Sequence, residues 1–439
     1  MRFQDKLGNG CAQRVALWGV VTRVAAVAAA VVCAGLWVCA ARGQSPAGAA
    51  GQAPAAAPSP SAKKTMKVDG VAVAKTPRKL EGVQKTVSGH VEVSGSKIYY
   101  EECGSGPVAV IFLHDLWLHS VTWDEEWRPI CAKYHAVRYD RRGYGRSEAA
   151  KAAYSPVEDL LAIVNDRKIQ RAVLVGSSTG AGVAIDFALA HPELVQGLFL
   201  IGPIVDGLPT STEFQVRAAR NSQPLKEGDA KAAAENWSKD HYILGEGHEP
   251  ERVKFLAALD SSLQNLKNAD EFALKSSPAA GTRLAEIHAP TEILVGEVDI
   301  ADVHAQAGAI EEGIAGAQRD VVINAGDLVQ LEQPEIVIEK LTSFVDRQER
   351  MAVDVPVDVL QSYVGTYTSR DRGLTVTLDN GHLIAQAPGQ ANAQLFAESQ
   401  TKFFFRISDV EVEFTKDAAG KITRAVIYQD GEVIKAVRM

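Results

Sequence analysis

Val173-Leu-Val-Gly-Ser-Ser-Thr-Gly-Ala-Gly-Val183 decides the reading of this chain. An apolar run, expected of a buried strand, meets Gly176-Ser177-Ser178-Thr179-Gly180, and a helix-compatible segment follows. A serine with a glycine two positions to either side predicts a sharp strand-to-helix corner. The turn is strained, and its neighbours crowd the backbone until only glycine fits. Such a corner lifts the Ser178 hydroxyl above the end of a sheet. There it can attack an electrophile, provided a general base takes its proton.

Working outward, strongly apolar runs recur at 108–113, 136–139, 172–175, 197–201, 291–295 and 320–323, interrupted only by Arg138, Thr291-Glu292 and Asp320 and preceded by a hairpin over 91–102. Runs without alternation are expected of strands covered on both faces. Helical patterns fill the gaps, as at 156–166 and 182–190. Strand-helix alternation predicts an α/β fold with a doubly wound, mostly parallel sheet over residues 87–350. Residues 206–285 break the alternation with Ala-, Glu-, Lys- and Leu-rich helical sequence. An insertion there should form a helical lid over the carboxyl edge of the sheet. Trp237, His241 and Tyr242 lie within it, for the most part as expected packing residues. Residues 351–439 change character again. Short alternating runs at 374–378, 383–386, 402–407, 410–414, 422–428 and 433–437 are punctuated by Asn380-Gly381, Gly420 and Asp430-Gly431. They predict a small all-β domain, a barrel or curved sheet.

A formal net charge of −8, with no polybasic cluster and no phosphate-cradling loop, argues against a nucleic-acid partner. Near the N-terminus, Lys6, Arg14 and Arg23 precede residues 24–41, an uncharged stretch of 18 residues. Residues 1–42 therefore read as an export signal or as an uncleaved membrane anchor. The protein is expected to be exported, periplasmic or secreted. Residues 43–86 are rich in Ala, Pro, Gly, Ser and Lys and read as a flexible linker. Only Cys103 and Cys131 lie beyond these segments. Export permits a disulfide between them, and two unpaired cysteines fit the sequence equally well. No Cys/His spacing suggests a metal site, and no cofactor is expected.

Residues 88–347 resemble the α/β-hydrolase superfamily, in its lidded branch of esterases and lactonases. Four blocks in order carry the resemblance: Leu113-His114-Asp115-Leu116 with Trp123, Tyr139-Asp140-Arg141-Arg142-Gly143-Tyr144-Gly145-Arg146-Ser147, the corner at Ser178, and Gly296-Glu297-Val298-Asp299. The resemblance implies Ser178 as nucleophile and Asp299 as the acid that orients a base. It also implies an oxyanion hole from the backbone N–H groups of Thr179 and Leu116. Haloalkane dehalogenases and epoxide hydrolases carry aspartate at the nucleophile position, so both are disfavoured. Asp115 stands where the family has glycine, which puts the backbone geometry of the second oxyanion donor in question.

The larger departure lies in Gly326-Asp327-Leu328-Val329-Gln330-Leu331-Glu332-Gln333-Pro334, where the family has a Gly-His pair before E-x-P. Asp327 occupies the histidine slot. A carboxylate beside Asp299 repels it and offers no imidazole. His119, on the loop after the His114 strand, and His304, five residues beyond Asp299, are the leading candidates for a surrogate base. His241 and His248 lie in the lid, and His114 has a structural place in this family. Residues 351–439 resemble the lipocalin-like β modules on class C β-lactamase-like serine hydrolases, through Tyr363-Val364-Gly365-Thr366-Tyr367 and the turn at 417–421. The expected function is a cofactor-free serine hydrolase of carboxylic esters or lactones with impaired catalysis. The rival is a non-catalytic protein that binds a small ester, lactone or related apolar ligand in the lidded pocket. Limited proteolysis of the exported protein is expected to cut first within 43–86, and protection there equal to that of the sheet would contradict the linker reading.

Overall fold

The computed structural model describes residues 85–262, 272–370, 372–390, 392–429 and 431–439. The expected export segment and linker lie outside them. Strands β1 (Val87–Val93) and β2 (Ser96–Cys103) form the leading hairpin, followed by β3 (Ala109–Leu113), β4 (His135–Tyr139), β5 (Ala172–Ser177), β6 (Val195–Ile201), β7 (Thr291–Gly296) and β8 (Gln318–Val322). They pair in the order β1-β2-β4-β3-β5-β6-β7-β8. The hairpin and the β2–β4 pair are antiparallel, and the rest of the sheet is parallel.

Every residue of β3, β5, β6 and β7 is buried, which is why their sequences lack alternation. Successive side chains still point to opposite faces. Leu174 joins one core cluster, whereas Val173 and Val175 join the other. The connecting helices are α1 (Asp124–Cys131), α2 (Pro156–Asp166) and α3 (Thr179–Ala190). The insertion carries α4 (Thr212–Lys226), α5 (Ala230–Ser238) and α6 (Glu249–Ser262), and α7 (Ala301–Gly313), α8 (Val329–Glu332) and α9 (Pro334–Glu349) follow. Helices α2, α3 and α7 bury their apolar residues on one face, and α1 and α9 on the other. Cys103, at the end of β2, is bonded to Cys131, at the end of α1, with Cα atoms 5.4 Å apart.

The insertion packs through a third cluster. Trp237, Ile243, Leu244, Phe255 and Leu259 meet Leu118, Leu328 and Leu331, which belong to the loops at the carboxyl edge. Trp237 also lies against Trp117, with ring centroids 4.9 Å apart. It is a packing residue, as expected.

After α10 (Val357–Tyr363), the chain closes an antiparallel barrel of β9 (Gly365–Ser369), β10 (Arg372–Asp379), β11 (His382–Gln386), β12 (Ala393–Ala397), β13 (Lys402–Phe404), β14 (Glu411–Lys416), β15 (Ile422–Gln429) and β16 (Glu432–Arg438). Strands β9 and β12 were not among the alternating runs read from sequence. Gly365-Thr-Tyr-Thr-Ser and Ala393-Gln-Leu-Phe-Ala have little alternation and little turn punctuation, and it is pairing with both neighbours that makes them strands. Tyr363, Tyr367, Phe403 and Phe414 form its aromatic centre, with Tyr363 stacked on Phe414 at 4.6 Å. Buried Arg347 on α9 joins barrel to sheet. Its guanidinium meets Glu292 of β7 at 2.7 Å and Asp409 at 3.2 Å. Phe414→Ala is expected to remove about 3–5 kcal/mol of stability, read as a lower urea midpoint in near-ultraviolet circular dichroism.

Candidate active site

Ser178 lies between the last residue of β5 and the first of α3, with φ 50° and ψ −117°. Positive φ is costly for a residue with a Cβ and persists only where the surroundings impose it. The surroundings are backbone. The Ser178 N–H donates to the Ile201 carbonyl at 2.8 Å, and its own carbonyl accepts from Ala181 at 3.1 Å and Ile204 at 3.2 Å. A Cβ on Gly176 would sit 2.6 Å from the Ala181 Cα, and one on Gly180 2.4 Å from the carbonyl oxygens of Leu113 and His114. These distances exclude any side chain, so both glycines of the motif are required for close approach.

Thr179 opens α3, and its Oγ1 accepts from Arg141 Nη1 at 2.9 Å. The same nitrogen reaches the carbonyls of His114 and Asp115 at 3.4 and 3.2 Å. Arg141 thus ties the loop carrying Leu116 to the N-terminus of α3, although nothing in the sequence assigned it that task. His114 is fully buried. Its Nε2 accepts the Arg141 N–H at 2.8 Å and its Nδ1–H donates to the Asp115 carbonyl at 2.8 Å. Burial, with Arg141 beside it, pushes its pKa down to about 3, so it is a neutral structural residue. Asp115, which replaces the family's glycine, does not adopt positive φ. Instead its Oδ1 caps the N–H groups of Trp117 at 2.7 Å and Leu118 at 2.8 Å, closing the turn around half-buried Leu116. Its Oδ2 is buried with no hydrogen-bond partner, and burial raises its pKa.

Asp299 follows β7 and Asp327 follows β8, so both stand at the same carboxyl edge as Ser178. They converge on Gly202, the residue after Ile201. A Cβ there would lie 2.8 Å from Asp327 Oδ1 and 3.6 Å from Asp299 Oδ2. Ser178 and the two carboxyls therefore flank one short segment, Ile201–Gly202. Asp299 Oδ1 accepts the Ile300 N–H at 2.7 Å, while Oδ2 is buried without a partner. Burial, then the neighbouring Asp327, raises the Asp299 pKa well above the carboxylate range. Asp327 is pushed up to about 7, by burial first and then by Asp115, with Arg217 opposing.

The Asp327 loop is held by the insertion. The Asp327 N–H donates to the Tyr242 carbonyl at 2.8 Å and the Leu328 N–H to Ile243 at 3.2 Å. Buried Glu332, the glutamate of E-x-P, accepts the N–H groups of Gly245 and Gly326, each at 2.6 Å. Buried Arg217 on α4 donates to Asp240 at 2.7 Å and lies 5.2 Å from the ring centres of Trp237 and Tyr242. Neither Arg217 nor Asp240 had a sequence signal, because an insertion of helices carries no motif.

The candidate histidines have the following surroundings. His119 Nδ1 lies 3.6 Å from Asp140 Oδ1. The Asp140 carboxyl stays ionised despite burial, because hydrogen bonds from His119, Ser120 and the Arg146 N–H hold its pKa far below the usual range. His119 lines a cavity of about 660 Å³ with Leu118, Arg146, Lys254 and Leu331, and Ser178, Asp299 and Asp327 are not part of its wall. His304 is half-buried on α7, in the turn after Asp299. His241 is exposed against Tyr242, and His248 Nε2 lies 2.9 Å from the Asn324 carbonyl.

Residues 110–340 match the family described as Alpha/beta hydrolase family, and residues 349–437 match a domain of unknown function (DUF3471). The 2-hydroxy-6-oxononadienedioate/2-hydroxy-6-oxononatrienedioate hydrolase of Escherichia coli (strain K12) is 26% identical over 274 residues, 59% of this chain and 94% of that protein. An uncharacterized protein of Mycobacterium tuberculosis (strain ATCC 25618 / H37Rv) is 32% identical over 115 residues, 25% of this chain and only 33% of that relative's length. Among solved structures, Est816, titled an N-acyl homoserine lactone degrading enzyme, is 27% identical with a TM-score of 0.50, covering 58% of this chain and 100% of that one. A thermophilic esterase from Thermogutta terrifontis, 21% identical with a TM-score of 0.51 over 60% of this chain and 99% of that one, shares the fold.

The raised pKa of Asp327 has a definite sign for stability. Between about pH 4 and 7 the unfolded chain has lost this proton while the folded one keeps it, so stability falls as pH rises through that window and is flat above it. Asp327→Asn removes this cost and relieves Asp299. The variant is expected to gain on the order of 3 kcal/mol over wild type between pH 4.5 and 8, measured by urea unfolding at each pH. A pH-independent difference would contradict the electrostatic account.

Proposed function

We propose that this chain, which belongs to the alpha/beta hydrolase family, is a serine hydrolase of carboxylic esters or lactones with Ser178 as its nucleophile. The observation that carries this reading is the strained φ of 50° at Ser178, imposed at the end of a buried parallel strand. Backbone that resists relaxation only to present one hydroxyl is characteristic of a reacting group. Thr179 N–H, at the start of α3, and Leu116 N–H, on the turn capped by Asp115, are the proposed oxyanion donors. Asp299 and Asp327 take the positions of the acid and of the histidine. The likeness to a lactone-degrading enzyme at 27% identity supports the substrate class. The helices of the insertion are read as a lid that shapes a pocket for a small apolar ligand. The Cys103–Cys131 bond supports the reading of an exported protein, since such bonds persist in oxidising compartments.

The absence of an imidazole at position 327 favours the second reading, a protein that binds such ligands without turning them over. A fluorophosphonate probe separates the two. Covalent labelling at Ser178, with hydrolysis of an activated aryl ester that Ser178→Ala abolishes, is the expected outcome. Ligand binding without label or hydrolysis would establish the binding protein instead.

A further inference from the structure

We propose that Asp327 is the general base for Ser178 and that Asp299 holds the proton the two carboxyls share, so that a carboxyl pair replaces an imidazole and its orienting acid. The proposal rests on the reading of Ser178 as nucleophile. Its basis is placement. Ser178 N–H binds the Ile201 carbonyl, and both carboxyls meet at Gly202, the next residue. Gly202 has no side chain to separate them, and its φ of 51° suits glycine. The Asp299 carboxyl and the backbone at Asp327 are both held in place. Asp299 accepts from the Ile300 N–H, and the Asp327 loop is bonded to Tyr242 and, through Glu332, to Gly245.

Asp299 Oδ2 is buried with no donor facing it. A bare carboxylate oxygen in that position is costly, whereas a protonated one is tolerated. Two buried carboxyls that converge on one glycine resist ionising together, and the charge of Asp327 raises the Asp299 pKa. The charged surroundings sharpen the division. Asp115, Glu332 and Asp240 face Asp327 with negative charge, and Arg217 with positive charge. Asp299 is faced by Asp327, Glu332 and Arg217. Asp299 therefore keeps the proton, and Asp327 is the member that ionises. Its pKa of about 7 lies where a histidine would stand, near the optimum for a base working at neutral pH. A carboxylate of ordinary acidity would be a poor base for an alcohol; burial removes that objection.

The steps balance. As Ser178 Oγ bonds to the acyl carbon, its proton passes to the Asp327 carboxylate and the carbonyl electron pair moves onto oxygen. Collapse breaks the bond to the leaving oxygen, which takes the proton from Asp327. A water then bonds to the acyl carbon and gives a proton to Asp327, which returns it to Ser178 Oγ as the acid departs.

The test is hydrolysis of an activated aryl ester from pH 4 to 9, with fluorophosphonate labelling followed in parallel. Wild type should rise with pH to a plateau, with a midpoint near 7. Asp327→Asn, of the same shape but unable to take a proton, should lose about 10²–10⁴-fold in kcat/KM while remaining folded by circular dichroism. Asp299→Ala, which removes the O–H that would stabilise the Asp327 carboxylate, should shift the midpoint to higher pH, which a merely structural role would not do. Carbon-13 detection of the aspartate carboxyls adds a readout independent of turnover. One carboxyl should titrate near 7, and that signal should vanish in Asp327→Asn. Unchanged rate and midpoint in Asp327→Asn, with Ser178 still labelled, would overturn the base assignment alone. Failure of wild type to label or hydrolyse through Ser178 would overturn the hydrolase reading, and this proposal with it.

Discussion

Close contact between backbone segments at the end of β5 is the constraint on which the remaining structure depends. The α3 N-terminus presses against the carbonyls of Leu113 and His114 so tightly that a methyl group at Gly180 could not be admitted. The carbonyl of Ser178 is bonded onward to Ala181 and Ile204, and its N–H to Ile201. Strands β3, β5 and β6 and helix α3 are thereby fixed around one residue. Main-chain contacts have no rotamers to exchange, so the direction of the Ser178 Cα–Cβ bond is set by the fold and not by side-chain packing. Arg141 extends the same registration to the loop of Asp115 and Leu116.

Around that corner the protein gathers acidic groups in a setting poor in water. Asp115, Asp299, Asp327 and Glu332 all have raised pKa values, with burial as the first cause in each. Such an arrangement works against folding at neutral pH, and natural proteins keep unfavourable electrostatics of this kind mainly where chemistry or binding uses it. Glu332 and Asp115 also hold backbone, Asp115 through two N–H groups on one oxygen and Glu332 through both of its oxygens, which accept two backbone N–H groups and so join segments.

Much of the architecture was legible in the sequence, since full burial on both faces writes itself as uninterrupted apolar runs. Strands β3, β5 and β6 declared themselves that way, whereas the edge strand β8, expected from 320–323 to be covered on both faces, is largely exposed because it has a neighbour on one side only. Ser178, Asp299 and Asp327 were legible because the corner, the loop after β7 and the segment before Glu332-Gln333-Pro334 have fixed spacing from their strands. What stayed hidden depends on tertiary approach. Strands β9 and β12 exist through their neighbours. Arg217 reaches the site only because α4 folds back over it. The acidity of Asp327 follows from which groups surround it, and a sequence read as a string treats that residue as an ordinary aspartate.

The bonds from Tyr242 and Ile243 to Asp327 and Leu328, reinforced by Glu332, make the covering insertion and the third site residue one mechanical piece. A swing of that insertion away from the sheet would carry Asp327 with it or break those bonds. Displacing the insertion would therefore take Asp327 away from the Ile201–Gly202 segment that it shares with Ser178 and Asp299. Any rearrangement of the insertion is in this way transmitted to position 327 through main-chain bonds rather than through side-chain packing.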